Sequence, residues 1–164
     1  MTEQVLIKVG MADLNVASKE GILKTIGLGS CVGLTLYDPV FKIAGMAHVM
    51  LPSSEIAKEG PLNRAKYADT AIPELILQMV QLGAAVSRMQ SKMAGGAQMF
   101  AFSTAKDTMR IGPRNTESCK EMLKKLGIPL LGEDTGGSYG RTIEIDCSTG
   151  NLSITSIQMG SKVL

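Results

Sequence analysis

The chain has 164 residues and a mass of 17.4 kDa, with 45% hydrophobic and 20% charged residues, which suits one folded domain over residues 1–164 and excludes a disordered or fibrous chain. Seventeen Lys and Arg against fifteen Asp and Glu leave a net charge of +2, too small an excess to attract nucleic-acid phosphates without other help. No stretch approaches the ~20 apolar residues that cross a bilayer, and residues 1–20 lack the apolar segment of a secretory signal, so a soluble, cytoplasmic protein is expected.

The N-terminal third reads mostly as strand. Val5, Ile7, Val9 and Met11 alternate, and apolar segments follow at 22–28, 32–37 and 41–51. Residues 63–83 turn helical, with Ile72, Leu75, Ile76, Met79 and Leu82 at three- and four-residue steps, Gly83 as a stop, and Pro73 as a kink or restart. Phe100 and Phe102 share a face, read first as an ordinary core strand and second as an aromatic patch for substrate or partner. A second helix fits 113–126: Pro113 suits a first turn, Cys119, Met122, Leu123 and Leu126 share one face, and Lys120, Lys124 and Lys125 form the solvated side. Residues 134–141 carry three glycines between Asp134 and Arg141, a surface turn or a loop closing over a site. The C-terminus predicts a hairpin, 142–147 and 152–159, turning at 148–151. The elements together predict an α+β fold, an α/β sandwich of largely antiparallel or mixed sheets with helices packed on one side. Eleven Met and no Trp imply an aliphatic, sulfur-rich core.

Cys31, Cys119 and Cys147 are an odd set at wide spacings, which argues against a disulfide framework. With one histidine in the chain and no CxxC, neither a metal site nor a cofactor is expected. Cys119 lies on the apolar stripe of its helix and Cys147 continues the face of Ile143 and Ile145, so both read as small core hydrophobes. Cys31 is out of phase with Val32, Leu34 and Leu36 and follows Gly27-Leu28-Gly29-Ser30, whose glycines permit a tight turn that presents N–H groups beside the sulfur. If 32–37 and 41–49 form a hairpin with Asp38 opposite Phe41, Leu36 faces Ile43, Val32 faces Ala47 and Cys31 faces His48, about 4.5–5.5 Å apart at Cβ. Such a thiol and imidazole suit nucleophilic catalysis through a thiolate. The residues leave the alternative open: Cys31 in a second apolar layer, and His48 as a satisfied core histidine.

At these residues the chain resembles a known family. Thr25-Ile26-Gly27-Leu28-Gly29-Ser30-Cys31, Tyr37-Asp38-Pro39 and Gly45-Met46-Ala47-His48-Val49-Met50-Leu51-Pro52 are similar to the CheD family of chemoreceptor glutamine deamidases. Lys66-Tyr67-Ala68-Asp69-Thr70-Ala71-Ile72-Pro73, Gly95-Gly96-Ala97, Ile111-Gly112 with Asn115, and Asp134 with Gly136-Gly137 and Gly140-Arg141 extend the resemblance over nearly the whole chain. It implies a papain-like mechanism converting selected glutamines of receptor cytoplasmic helices to glutamate, with Cys31 as nucleophile, His48 as base and acid, and Thr25 as the residue that orients the imidazole. Backbone N–H groups near Cys31, with Gly29 and Ser30 as supporting loop, are expected to bind the oxyanion. A glutamate methyl ester offers the same acyl group, so methylesterase activity falls within this chemistry. The family also implies the phosphatase CheC as regulatory partner and recruitment to membrane receptors. The competing reading is a non-enzymatic chemotaxis regulator acting through complexes with CheC and receptors.

Overall fold

A computed structural model of the chain describes residues 4–57, 60–99 and 110–164. Phe100 and Phe102 lie outside the described residues. In chain order the elements are β1 (Val5–Lys8), β2 (Leu14–Ser18), β3 (Gly21–Leu28), β4 (Val32–Asp38), β5 (Ile43–Val49), α1 (Ala68–Gln81), β6 (Gln90–Gly95), α2 (Ile111–Lys125), β7 (Leu130–Thr135), β8 (Arg141–Asp146), β9 (Leu152–Ser156) and β10 (Gly160–Val163). One sheet runs β1-β3-β8-β9-β10 and the other β2-β5-β4-β6-β7; the pairs β1/β3 and β6/β7 are parallel and the rest antiparallel. Both helices pack on the second sheet, so the layers are sheet, sheet, helices, as the sequence predicts.

This layering buries β4 and β5 on both faces, because each lies mid-sheet between the helices and the first sheet. Val32, Leu34 and Leu36 meet Ile72, Leu75 and Met79 of α1 and Cys119 and Leu123 of α2. Cys31, Tyr37, Ala44 and Met46 meet Leu23, Leu28, Ile143 and Ile145 of the first sheet. Met46, Met79, Met89 and Met93 are fully buried, and burial of such a side chain stabilises by about 1.5–3 kcal/mol. The polar residues on β4 are satisfied internally: Thr35 donates to Lys92 O (2.7 Å) and Tyr37 to Cys147 O (2.8 Å). Asp38 ends the strand fully buried. It accepts from Arg88 (2.8 Å) and from the N–H groups of Val40 and Ala85, which hold its carboxyl below the usual range against the opposing effect of burial.

Several boundaries differ from those predicted. The first strand stops at Lys8, and Met11 sits exposed in a turn. The first helix begins at Ala68, because Asn63 caps a separate 3₁₀ turn at Arg64–Lys66 through Ala65 N–H (3.1 Å), and it then runs through Pro73 as one element. The second strand of the predicted hairpin, β9, ends at Ser156, and β10 returns beside it.

Candidate active site

The segment leading to the thiol begins with a break in strand pairing. Thr25 pairs with Ile143 but Leu28 with Arg141, so one residue is extra, and exposed Gly27 takes it up at φ 76°. The bulge leaves Thr25 and Leu28 both facing inward, with Ile26 outside. Gly29 and Ser30 then carry the chain from the first sheet across to the second, where Cys31 immediately precedes β4.

The predicted hairpin register is corrected by two residues. Asp38 pairs with Ile43, and His48 lies opposite Gly33. Phe41 belongs to the turn, half-exposed with the Arg88 guanidinium 4.9 Å from its ring centroid, and Lys42 closes the turn at φ 55°. A slip of two preserves the facing of every side chain, so Cys31 and His48 still share the face turned to the first sheet. They are diagonal neighbours, however, with Cα atoms roughly 7–8 Å apart. Gly33, between them in register, has no side chain, and a Cβ there would collide with Ile143 Cδ1 and approach Leu28 Cδ1 to 2.9 Å. The first sheet thus closes against the strand beside the imidazole.

Thr25 makes the decisive polar contacts. Its hydroxyl lies 2.7 Å from Val9 O and 2.7 Å from His48 Nδ1. The hydroxyl has one proton, and Val9 O can only accept, so that proton is committed there and Thr25 Oγ1 accepts from His48 Nδ1–H. The hydrogen-bond count therefore assigns the tautomer: Nε2 carries the lone pair. It is buried and without a partner among the described residues. Among the described residues, His48 is thus hydrogen-bonded at Nδ1 alone.

Burial pushes the Cys31 thiol up and the His48 imidazole down, so both favour their neutral forms at rest. Burial also pushes Cys119 to about 12 and Cys147 to about 11, so elevation does not single out Cys31; position does, because Cys119 and Cys147 are 0% exposed and Cys31 is 9% exposed. Iodoacetamide should therefore modify Cys31 in the folded protein while sparing the other two. Its rate, read by mass spectrometry of the Cys31 peptide, should rise with a midpoint above the ordinary thiol value; a midpoint at acid pH would reveal a resting thiolate–imidazolium pair instead.

The Gly95-Gly96-Ala97 motif is the packing partner of the thiol's loop. Gly96 N–H donates to Cys31 O (2.9 Å) and Ala97 N–H to Gly29 O (2.9 Å). A Cβ at Gly96 would strike Thr116 of α2, and one at Gly112 would strike Ala97 O, so these glycines let three backbones meet. The 134–141 loop is fastened to this motif: Gln98 N–H donates to Gly137 O, Gly136 N–H to Gly95 O, and buried Arg141 binds Asp134 (3.2 Å) and Gly136 O (2.9 Å). Asp69 accepts from Ser54 N–H and Oγ–H, holding the chain after β5 to the start of α1. Sequence reasoning gave Asn115 no chemical part, yet it is fully buried and donates to Ser30 O and Met50 O. The overlooked signal was a polar residue one turn before Cys119 on the helix's apolar stripe.

A family model described as CheD chemotactic sensory transduction matches residues 50–156. The chain is 54% identical to the chemoreceptor glutamine deamidase CheD of Halalkalibacterium halodurans, over 96% of this chain and 97% of that protein. It is 47% identical to the protein of that name from Bacillus subtilis, over 99% and 98%. A probable chemoreceptor glutamine deamidase CheD from Desulfitobacterium hafniense is 51% identical over 97% and 98%. The family-model match begins after Thr25, Cys31 and His48, whereas the relatives are similar over almost the full chain.

Proposed function

This chain belongs to the CheD family, and on that footing we propose that it hydrolyses the side-chain amide of selected glutamines in chemoreceptor cytoplasmic helices, with Cys31 as nucleophile, His48 as base and acid, and Thr25 as the residue that orients the imidazole. The observation that carries the residue assignment is the Thr25 contact to Nδ1, which leaves a buried Nε2, without a partner among the described residues, on the face it shares with Cys31.

Because burial disfavours the charged form of both groups, the proposed reaction begins by general-base catalysis. As Cys31 Sγ attacks the carboxamide carbon, Nε2 takes the thiol proton, and the imidazolium then protonates the departing nitrogen. Ammonia leaves and a thioester remains. Nε2 next takes a proton from water as the water oxygen attacks, and collapse releases glutamate and returns the proton to sulfur. A glutamate methyl ester would pass through the same thioester with methanol as leaving group. The fold has no helix among its described residues long and apolar enough to cross a membrane, so receptors would be met by recruitment. CheC is proposed as the regulatory partner on the family resemblance.

The test is peptide-resolved mass spectrometry of a receptor cytoplasmic fragment incubated with wild type or Cys31→Ala, since conversion of amide to acid adds about 1 Da. Site-specific conversion by wild type alone is expected. Equal conversion by folded Cys31→Ala would remove the nucleophile, and no conversion of a receptor that binds the protein would leave a non-enzymatic regulator.

Two further outcomes follow from the geometry. Thr25→Val keeps the shape but removes the acceptor for Nδ1–H, so kcat should fall roughly 10–100-fold, part of the 10²–10⁴ that a positioned acid–base group supplies. Unchanged kcat in the folded variant would release Thr25 from its role. In the pH profile of kcat/KM, the acid limb marks protonation of His48, which burial lowers. Activity should therefore persist to more acidic pH than the ordinary imidazole value of about 6.5 allows; an acid limb above that value would contradict the assignment.

A further inference from the structure

Three successive carbonyls around the thiol are held by donors from outside its loop: Gly29 O by Ala97 N–H, Ser30 O by the Asn115 amide (3.0 Å) and Cys31 O by Gly96 N–H. Among the described residues none of the peptide bonds is cis, and in a trans peptide the C=O and N–H point in opposite directions. A grip on each carbonyl therefore fixes where the next residue's N–H points. Among the described residues, no backbone carbonyl accepts from the N–H of Ser30 or of Cys31. Two oriented donors are thus left beside the sulfur.

Asn115 is the side-chain member of this set, and it reaches both halves of the site. Its NH₂ also donates to Met50 O (2.9 Å), the residue that follows the His48 strand. Both amide protons are spent, and flipping the amide would set Oδ1 against two carbonyl oxygens, so its orientation is fixed. Oδ1 itself is buried without a partner among the described residues. A buried acceptor left unsatisfied opposes stability and calls for an explanation other than packing.

We infer that Asn115 is a positioning residue for amide hydrolysis: by holding Ser30 O towards α2, it turns the Cys31 N–H the opposite way, onto the oxygen of the reacting carboxamide. The inference rests on the reading of Cys31 as nucleophile. A donor fixed before reaction stabilises the oxyanion without reorganisation, and losing one such donor costs about 10²–10³-fold in kcat.

The test compares deamidation of a receptor cytoplasmic fragment with iodoacetamide alkylation of Cys31, in full-length Asn115→Ala. Alkylation needs the thiol but builds no oxyanion. The expected result is kcat lowered about 100-fold with KM and the alkylation rate near wild type. Where Asn115→Ala does not fold, Asn115→Thr, which removes the carboxamide with less loss of volume, is judged by the same ratio. Wild-type kcat in a folded variant would overturn the inference, as would alkylation falling as far as deamidation, which would mean that the loop had simply moved. Deamidation surviving in Cys31→Ala would instead sink the underlying nucleophile assignment, a result separable from either outcome at Asn115.

Discussion

His48→Asn should lower glutamine deamidation by up to about 10⁴-fold while leaving the fold in place. The size follows from the environment of the thiol. Burial raises the Cys31 pKa, so without a base within reach the attacking thiolate has to form unaided in an apolar layer. The same substitution removes the acid that protonates the departing amide nitrogen, so both halves of the acylation suffer. Asn is the informative replacement because its amide can occupy the place of Nδ1–H and donate to Thr25 Oγ1, sparing the contact that ties the two sheets. Ammonia release and thermal unfolding measured on the same preparation check this. A loss below tenfold in a protein of unchanged stability would mean that another group moves the proton.

Much of this candidate site was legible in the sequence, because Cys31 and the glycines before it interrupt local patterns. Cys31 breaks the phase of Val32, Leu34 and Leu36, and the structure explains why a phase break does not mean exposure: the strand has an apolar layer on either side. The pairing distance was not legible. Phe41 is apolar and reads as strand, but Asp38 caps the turn through Val40 N–H and Arg88 covers Phe41, so the turn takes four residues instead of two. Parity survived the slip, and with it the shared face of Cys31 and His48. The tautomer was beyond reach, since it depends on Val9 O meeting Thr25 from another strand.

The fold was legible where burial alternates and obscure at the sheet margins. Strands β1, β2, β7 and β10 are the edge strands, paired on one side only; of these β1 still alternates in sequence, whereas β10, Gly-Ser-Lys-Val, is exposed at every residue and is held by its ladder to β9. A strand that buries little leaves no period-two signal to read. The same physics moved the helix start from residue 63 to Ala68, where the polar cap of Asn63 serves a separate 3₁₀ turn.

Gly95→Ala should be the most damaging of the small substitutions, and it tests how the thiol's loop is held. Gly95 has φ 112°, a conformation that side chains with a Cβ rarely adopt. A Cβ there would strike Cys31 O and lie 3.3 Å from Val32 Cα. Both obstacles are backbone, so no rotamer change relieves them. Gly136 N–H on Gly95 O prevents the other side from giving way. Strain and overpacking together should cost about 3 kcal/mol or more, roughly 10 °C in Tm for a chain of this size. Deamidation should fall further than stability, because the Cys31 carbonyl has to move and the peptide units beside the sulfur turn with it. Gly27→Ala is the control. It shares the positive φ, at 76°, but has no atom within 4 Å of a new Cβ, so it should cost only about 1–2 kcal/mol of conformational strain. Equal losses at the two glycines, by thermal unfolding and by ammonia release, would show that the close approach of Gly95 to Cys31 is not what holds the Cys31 loop in place.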